Sequence, residues 1–339
     1  MDKINLGIIG AGSWGPNLIR NFNSVENCKI KYIVDSDEKA RKKIKLSYPS
    51  IDVKGNIKDI LDDDELDAIV ISTSAPTHYK LASEALNAGK DIYVEKPITL
   101  KADQARGLIK VSEEKELIIM AGHLLLYHTG INYLKEIIKN GELGEIYYIY
   151  TSRVNLGKVR NKENAFWSFA PHDISIILHL IEEMPIRISS TGAAFLNQNV
   201  EDVVFSTMEF SSGKVAHMHV SWLDPHKIRK TTVVGSKKMA VFDDAAPTEN
   251  LRIYDKGVDY KPGMTDYNQS LTLRIGDIHI PKIPSGEPLK IECNHFIECV
   301  RKRNKPLSDG INGLNVVKIL EAGSHSLQNN GKPIDISGD

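Results

Sequence analysis

Up to Glu95, short runs of β-branched and aliphatic residues alternate with stretches whose apolar positions recur at helical spacing. The runs are Leu6–Ile9, Ile30–Val34, Ala68–Ile71 and Ile92–Val94. They are continuous rather than alternating, as strands covered on both faces are. The clearest helical stretch runs from Pro76 to Gly89, with Tyr79, Ala82, Ala85 and Leu86 on one face. Pro76 suits a first helical turn and Gly89 a left-handed cap. Strand, helix, strand in repetition predicts a parallel sheet with right-handed crossovers.

Beyond Gly122 the pattern changes. Ile131–Lys139 predicts a helix closed by Asn140-Gly141, Glu145–Val154 a long aromatic strand, and Asp173–Ile181 another helix. Val203–Phe210 and Val215–Trp222 flank a Ser211-Ser212-Gly213 turn, and Lys230–Val234 and Met239–Phe242 flank Gly235-Ser236. Hairpins in series imply a mainly antiparallel sheet. Residues 257–285, rich in Gly, Pro and Asp, read as a long irregular loop. Helices near Leu289–Lys302 and Gly313–Leu327 end the chain. The expectation is an α/β protein: a doubly wound parallel Rossmann sheet over residues 1–122, then an α+β domain over 123–339 with an open-faced sheet. The two last helices are candidates to pack back on the first domain.

A length of 339 residues fits two domains better than one. With 43 Lys+Arg against 44 Asp+Glu, the net charge of -1 argues against a nucleic-acid partner. Cys28, Cys293 and Cys299 are too scattered for a disulfide framework or a zinc site, which fits a reducing compartment. No apolar run reaches the roughly 18 residues that would span a bilayer. The N-terminal run is too short and glycine-broken for a secretion signal. The expected setting is cytoplasmic, with no membrane partner.

Gly10-Ala11-Gly12-Ser13-Trp14-Gly15 directly follows the first strand and opens a helix, and Asp35 closes the second strand. Each part has a mechanical reason. Gly10 permits the tight turn, Gly12 lets the backbone approach a pyrophosphate, and Gly15 lets helix and strand pack closely. The helix N-terminus offers N–H groups to phosphate. The Asp35 carboxylate would accept a ribose hydroxyl and repel a 2′-phosphate. Ser36 and Asp37 follow it with no adjacent Arg, so NAD is expected over NADP. Glu95-Lys96-Pro97 ends the strand Ile92–Val94, at the sheet edge where ligands of open parallel sheets bind.

Those motifs, with Thr73-Ser74-Ala75-Pro76-Thr77-His78 and the ending Pro306-Leu307-Ser308-Asp309-Gly310…Gly313, resemble the Gfo/Idh/MocA sugar dehydrogenases over nearly the whole chain. The resemblance implies a Rossmann domain followed by an open-faced sheet, with Lys96 catalytic and its bond to Pro97 cis. It also implies cofactor contacts from Gly10, Gly12, Ser13, Trp14, Gly15, Asp35, Ser36, Thr73, Pro76, His78, Glu95 and Lys96. Trp14-Gly15-Pro16-Asn17, Gly122-His123 with Tyr127, Arg153 with Asn155-Leu156-Gly157, and Ala170-Pro171-His172-Asp173 resemble nucleotide-sugar 3-dehydrogenases. Those acting on UDP-N-acetylglucosamine, or on its uronic acid, oxidise the C3 hydroxyl to a ketone. The family's second catalytic element is usually Asp-x-x-x-His; here His172 keeps the histidine and Ser168 replaces the aspartate.

The expected reaction has His172 taking a proton from a ring hydroxyl, hydride passing to NAD+, and Lys96 stabilising the alkoxide. The sequence leaves open which of Lys96 and His172 is the base. Arg153 and Arg160 are candidate forks for the substrate pyrophosphate. His123, Tyr127, Asn155 and Ser168 complete the substrate set, His123 and Tyr127 lying four apart on one turn face. Three alternatives stay open: a dehydrogenase of a free polyol or aldose, a non-catalytic dinucleotide-binding protein, and a metal-dependent lyase using His217 and His219. The last has the weakest basis, since two histidines two apart are more often a polar sheet face, and no metal is assigned. Ile146-Tyr147-Tyr148-Ile149-Tyr150 suggests a surface buried between subunits of a homodimer or homotetramer.

Overall fold

The computed structural model describes residues 3–157, 159–260 and 271–336. The chain divides into two compact units, one running to Tyr127 and resuming over Gly286–Lys318, the other comprising His128–Ser285 and the stretch from Ile319 on. The first unit therefore takes in a piece of chain that a simple division at residue 122 assigns to the second.

In the first unit, β1 (Ile4–Ile9), β2 (Cys28–Val34), β3 (Asp52–Lys54), β4 (Ala68–Ile71), β5 (Asp91–Glu95) and β6 (Ile119–Gly122) form one sheet in the order β3-β2-β1-β4-β5-β6. Every pairing is parallel. The helices α1 (Gly15–Asn23), α2 (Glu38–Ser47), α3 (Lys58–Leu61), α4 (Ala75–Asn87) and α5 (Ala102–Glu114) make the crossovers. The order reverses direction between β1 and β4, and ligands of such sheets bind in the crevice outside the carboxyl ends of the strands at that point. β4 is wholly buried, as its unbroken Ala-Ile-Val-Ile requires. Helix α8 (Pro288–Lys302) joins this core through Leu289, Cys293, Phe296, Ile297 and Val300. Phe22, Tyr93 and Phe296 meet edge to face, with centroids 5.8–6.2 Å apart, a favoured aromatic geometry.

In the second unit, β7 (Ile146–Val154), β8 (Pro185–Ala193), β9 (Val203–Phe210), β10 (Val215–Ser221), β11 (Ile228–Gly235), β12 (Met239–Asp243), β13 (Leu251–Tyr260), β14 (Leu271–His279) and β15 (Ile334–Asp335) form a nine-stranded sheet. Its order is β14-β13-β12-β11-β7-β10-β9-β8-β15, and only β10 with β7 is parallel. Alternation sets its two faces. Ile149, Ala216, Met218 and Met208 point to one side and are fully buried. Tyr148, Tyr150, Phe205 and Val215 point to the other and are 38–43% exposed. Helix α6 (Thr129–Lys139) and helix α7 (Ala165–Ile181) also belong to this unit. Helix α9 (Gly310–Gln328) is divided between the units at Lys318.

Two expectations need correction. Residues 257–285 are not one irregular loop: β13 runs to Tyr260 and β14 pairs with it antiparallel, for example Leu273 opposite Val258. Gly, Pro and Asp scattered through the stretch suggest a loop, but Leu271, Leu273 and Ile275 recur at every second position in the period of a strand. The stretch 261–270 lies outside the described residues. The helix expected from Asp173 begins at Ala165 and carries Pro171 inside it. Asn164 caps it by accepting the Trp167 N–H at 3.0 Å.

Candidate dinucleotide and substrate site

The turn after β1 is built by steric exclusion. Gly10 has φ of 97°, and a Cβ there would lie 2.9 Å from the Ser72 carbonyl carbon and the Thr73 nitrogen. A Cβ on Gly15 would collide with the Gly10 carbonyl oxygen. At Gly12 a Cβ would meet nothing within 4 Å. Gly10 thus lets the turn pass against the chain beyond β4 and Gly15 lets α1 pack on the end of β1, while Gly12 faces open space, as a pyrophosphate alongside the helix N-terminus requires. Ser13 is exposed and Trp14 is 39% exposed.

Asp35 sits at the end of β2 and accepts the Ala11 N–H at 2.6 Å and the Asp37 N–H at 2.8 Å. Ser36 is exposed. An arginine does lie beside this pair. Arg41 donates through Nη1 to the Asp35 and Ser36 carbonyls at 2.8 and 2.9 Å, reaching back one helical turn where sequence adjacency gave no sign of it. Its Nη1 is occupied by these backbone oxygens, and the Asp35 carboxylate remains at the strand end. Thr73, at the end of β4, bonds Thr77 across the first turn of α4 at 2.7 Å, and Pro76 lies exposed in that turn.

Lys96 follows β5, and the Lys96–Pro97 bond is cis. Glu95 pairs with Gly122 on β6, so Lys96 and His123 are successive exits from neighbouring parallel strands, whose spacing is about 4.8 Å. The Glu95 carboxylate accepts the Trp14 indole N–H at 2.7 Å, the Tyr93 hydroxyl at 3.3 Å and the Lys96 N–H at 3.2 Å. Burial raises its pKa, while the Lys96 charge opposes the shift. His78 is 1% exposed, with Nδ1 2.8 Å from the Pro97 carbonyl oxygen and Nε2 3.1 Å from that of Thr73. A neutral ring can donate to only one of them. Burial lowers its pKa, and Lys96 adds to that. His78 thus stitches the two loops that border the crevice.

His123 and Tyr127 do not line a surface; the structure turns both inward. His123 is 0% exposed and its Nδ1 lies 2.5 Å from Asn312 Oδ1. Nδ1 therefore carries the proton, which leaves Nε2 a lone pair without a partner. Burial pulls the pKa of His123 down to about 4, with Lys96 contributing. Tyr127 is 3% exposed and its hydroxyl meets Ser308 Oγ at 3.0 Å.

The remaining candidates lie in the second unit. Ser168 and His172 occupy α7 one turn apart, on one face. His172 is in the helix interior, not at its start, and is half-buried. Asp173 points elsewhere. It is 1% exposed and accepts Nε of Arg153 at 3.0 and 3.2 Å and Nη2 at 3.1 Å. Burial raises the pKa of Asp173 and the Arg153 guanidinium opposes it. Arg153, 6% exposed, is thus an internal counter-ion rather than an open fork. Arg160 is exposed and bonds Glu163 at 2.6 Å. Asn155 is half-buried, its N–H donating to the Ser221 carbonyl at 3.1 Å. His217 bonds Thr207 at 3.1 Å and His219 stacks on Phe205 at 4.4 Å, both on the open sheet face. Among the described residues no group of three or more His, Cys, Asp or Glu could hold a metal ion.

Residues 4–123 match the model of an oxidoreductase family with an NAD-binding Rossmann fold, and residues 131–241 match the GFO/IDH/MocA C-terminal domain. The chain belongs to the Gfo/Idh/MocA family. Its two sheets are the family's two domains, the first an NAD-binding Rossmann fold. A UDP-N-acetylglucosamine 3-dehydrogenase of Acidithiobacillus ferrooxidans is 23% identical over 94% of this chain and 95% of its own. That enzyme's solved structure superposes with a TM-score of 0.83 over 98% of this chain and 100% of that chain, at 20% identity. The scyllo-inositol 2-dehydrogenase (NAD(+)) of Bacillus subtilis is 24% identical over 82% of this chain and 80% of its own. A 2,7-anhydro-N-acetylneuraminate hydratase of Escherichia coli is 26% identical over 74% of this chain and 70% of its own. The chain spans only 61% of the length of some other curated relatives that it matches.

The glycine geometry separates two substitutions. Gly12→Val should fold normally yet lose measurable NAD binding in titration calorimetry. Gly15→Ala should instead destabilise the first unit by about 2 kcal/mol or more in urea unfolding, because backbone must move. His123 yields a pH signature. Unfolded, its ring titrates near 6.5; folded, near 4, so its contribution is complete above pH 6.5 and fades as pH falls toward 4. Between pH 7 and 5 the stability difference between wild type and His123→Asn should shrink by about 2 kcal/mol. An unchanged difference would mean that the ring takes up its proton in the fold as readily as in the unfolded chain.

Proposed function

We propose that the protein oxidises a ring hydroxyl, at C3, of a nucleotide-linked hexose such as UDP-N-acetylglucosamine. The observation that carries this reading is the end-to-end likeness to the UDP-N-acetylglucosamine 3-dehydrogenase, over 94% of this chain and 95% of that one. NAD+, when bound, supplies the hydride acceptor. Gly10, Gly12 and Gly15 shape its pyrophosphate cradle, Ser13 and Trp14 border it, and Asp35 with Ser36 receives the adenine-side ribose. Thr73, Pro76, His78 and Glu95 flank the other half.

The ammonium of Lys96 stabilises the negative oxygen that develops as hydride leaves the carbon. His172 takes the hydroxyl proton. With Ser168 in place of a carboxylate, His172 has no anion one turn before it to raise its basicity, which gives Lys96 the larger share of the electrostatics. Asn155, Ser168 and the exposed Arg160 serve the substrate, Arg160 as a pyrophosphate fork once released from Glu163. Arg153 serves through Asp173 rather than by direct contact, and His123 and Tyr127 support the sheet edge from within. The open face around Tyr148, Tyr150 and Phe205 fits a homodimer or homotetramer, and three buried unpaired thiols fit the cytoplasm. A second reading, oxidation of a free polyol, is favoured by the likeness to the scyllo-inositol dehydrogenase.

UDP- and dTDP-hexoses and free polyols incubated with NAD+ separate the two readings. Reduced nicotinamide should appear with a UDP-hexose and the new ketone should lie at C3; turnover of an inositol alone would replace this proposal with the second. Lys96→Ala should retain NAD affinity within a few-fold and lose at least ~100-fold in turnover. Near-normal turnover would remove Lys96 from the chemistry.

A further inference from the structure

Glu292 stands in the second turn of α8 with an aliphatic and a thiol neighbour, Ile291 and Cys293. It is 0% exposed, and neither carboxyl oxygen has a hydrogen-bond partner. A lone carboxylate in such a place is too costly to keep, so the group is an uncharged acid. Burial first, and the Glu95 carboxyl second, push its pKa well above the ordinary range. The Tyr93 hydroxyl is close enough to bear on it and opposes that rise.

Tyr93 is itself 0% exposed, held by its rings against Phe22 and Phe296. Its hydroxyl occupies the space a side chain at position 122 would take, since a Cβ on Gly122 would lie 2.7 Å from it. From there it donates to Glu95 Oε1 at 3.3 Å, and the same oxygen receives the Trp14 indole N–H at 2.7 Å. Glu292, Tyr93, Glu95 and Trp14 therefore form one line of polar atoms, running from helix α8 through β5 to the glycine turn.

We propose that Glu292 is a positioning residue for the dinucleotide site: its carboxylic acid proton turns onto the Tyr93 oxygen and fixes the direction of the whole line. A phenol has one proton to give. With Glu292 donating to its oxygen, Tyr93 must send that proton to Glu95, and Glu95 then holds the Trp14 indole beside the glycine turn. An ionised Glu292 would capture the Tyr93 proton instead and set two like charges against each other. No bond to carbon changes and no proton leaves the chain. Neither the glycine motif nor Glu95-Lys96-Pro97 includes this residue.

The test compares Glu292→Gln, Glu292→Leu and Tyr93→Phe, reading NAD+ affinity by calorimetry and tryptophan emission of the free protein. Glu292→Gln keeps a donor and no charge, so affinity within about twofold of wild type and unchanged emission are expected. Glu292→Leu and Tyr93→Phe should both weaken NAD+ binding about tenfold and shift the emission. That shift should vanish in a Trp14→Phe background, which separates Trp14 from Trp167 and Trp222. Loss in Glu292→Gln equal to that in Glu292→Leu would overturn the proposal, as would wild-type affinity and emission in Tyr93→Phe. Should Glu292→Leu fail to fold, Tyr93→Phe, which keeps the ring packing, decides alone. Failure of wild-type protein to bind NAD+ would fault the cofactor assignment and leave the emission comparison standing.

Discussion

Helix α1 approaches the end of β1 so closely that residue 15 has no room for a methyl group. That contact aims the helix N-terminus along the carboxyl edge of the sheet. It also forces the chain through the left-handed turn at Gly10 and leaves Trp14 facing Glu95 across the crevice. The β2 end, with Asp35 tied to the Ala11 N–H, is held by the same turn. The NAD site of this unit is therefore fixed mainly by backbone exclusion, with side chains added around an already determined path.

That explains which parts of the molecule were legible in the sequence. Gly10, Gly12, Gly15, Asp35 and Lys96 are placed locally: the strand or turn that carries each one fixes its position at the sheet edge, and strand and turn were readable from spacing. Arg153 with Asp173, His123 with Asn312, and Glu292 with Tyr93 join residues 20, 189 and about 200 positions apart. Sequence shows only one half of each pair at a time. Asp173 did leave a trace, as a single acid inside an apolar helical stretch. An acid with no visible partner in such a place either lies at a surface or has one elsewhere. β14 was obscured differently, because glycine and aspartate content outweighed a short alternation of Leu271, Leu273 and Ile275.

The relatives divide by chemistry, with dehydrogenases of a nucleotide sugar and an inositol beside a hydratase. A shared frame does not select among them. On α7 of this chain, Ser168 stands one turn before His172.

The ribbon of β13 and β14 has a particular physical character. Arg274 clasps Asp255 and Asp259 on one side, while Leu273 and Ile275, 74% and 79% exposed, stand on the other. Because β14 is the outermost strand of its sheet, its far rim also presents unused main-chain amides. High concentrations of a salting-out anion would weaken the clasp and strengthen aliphatic cohesion together. Precipitation from ammonium sulfate would accordingly begin at this margin, ahead of any loss of the Rossmann core.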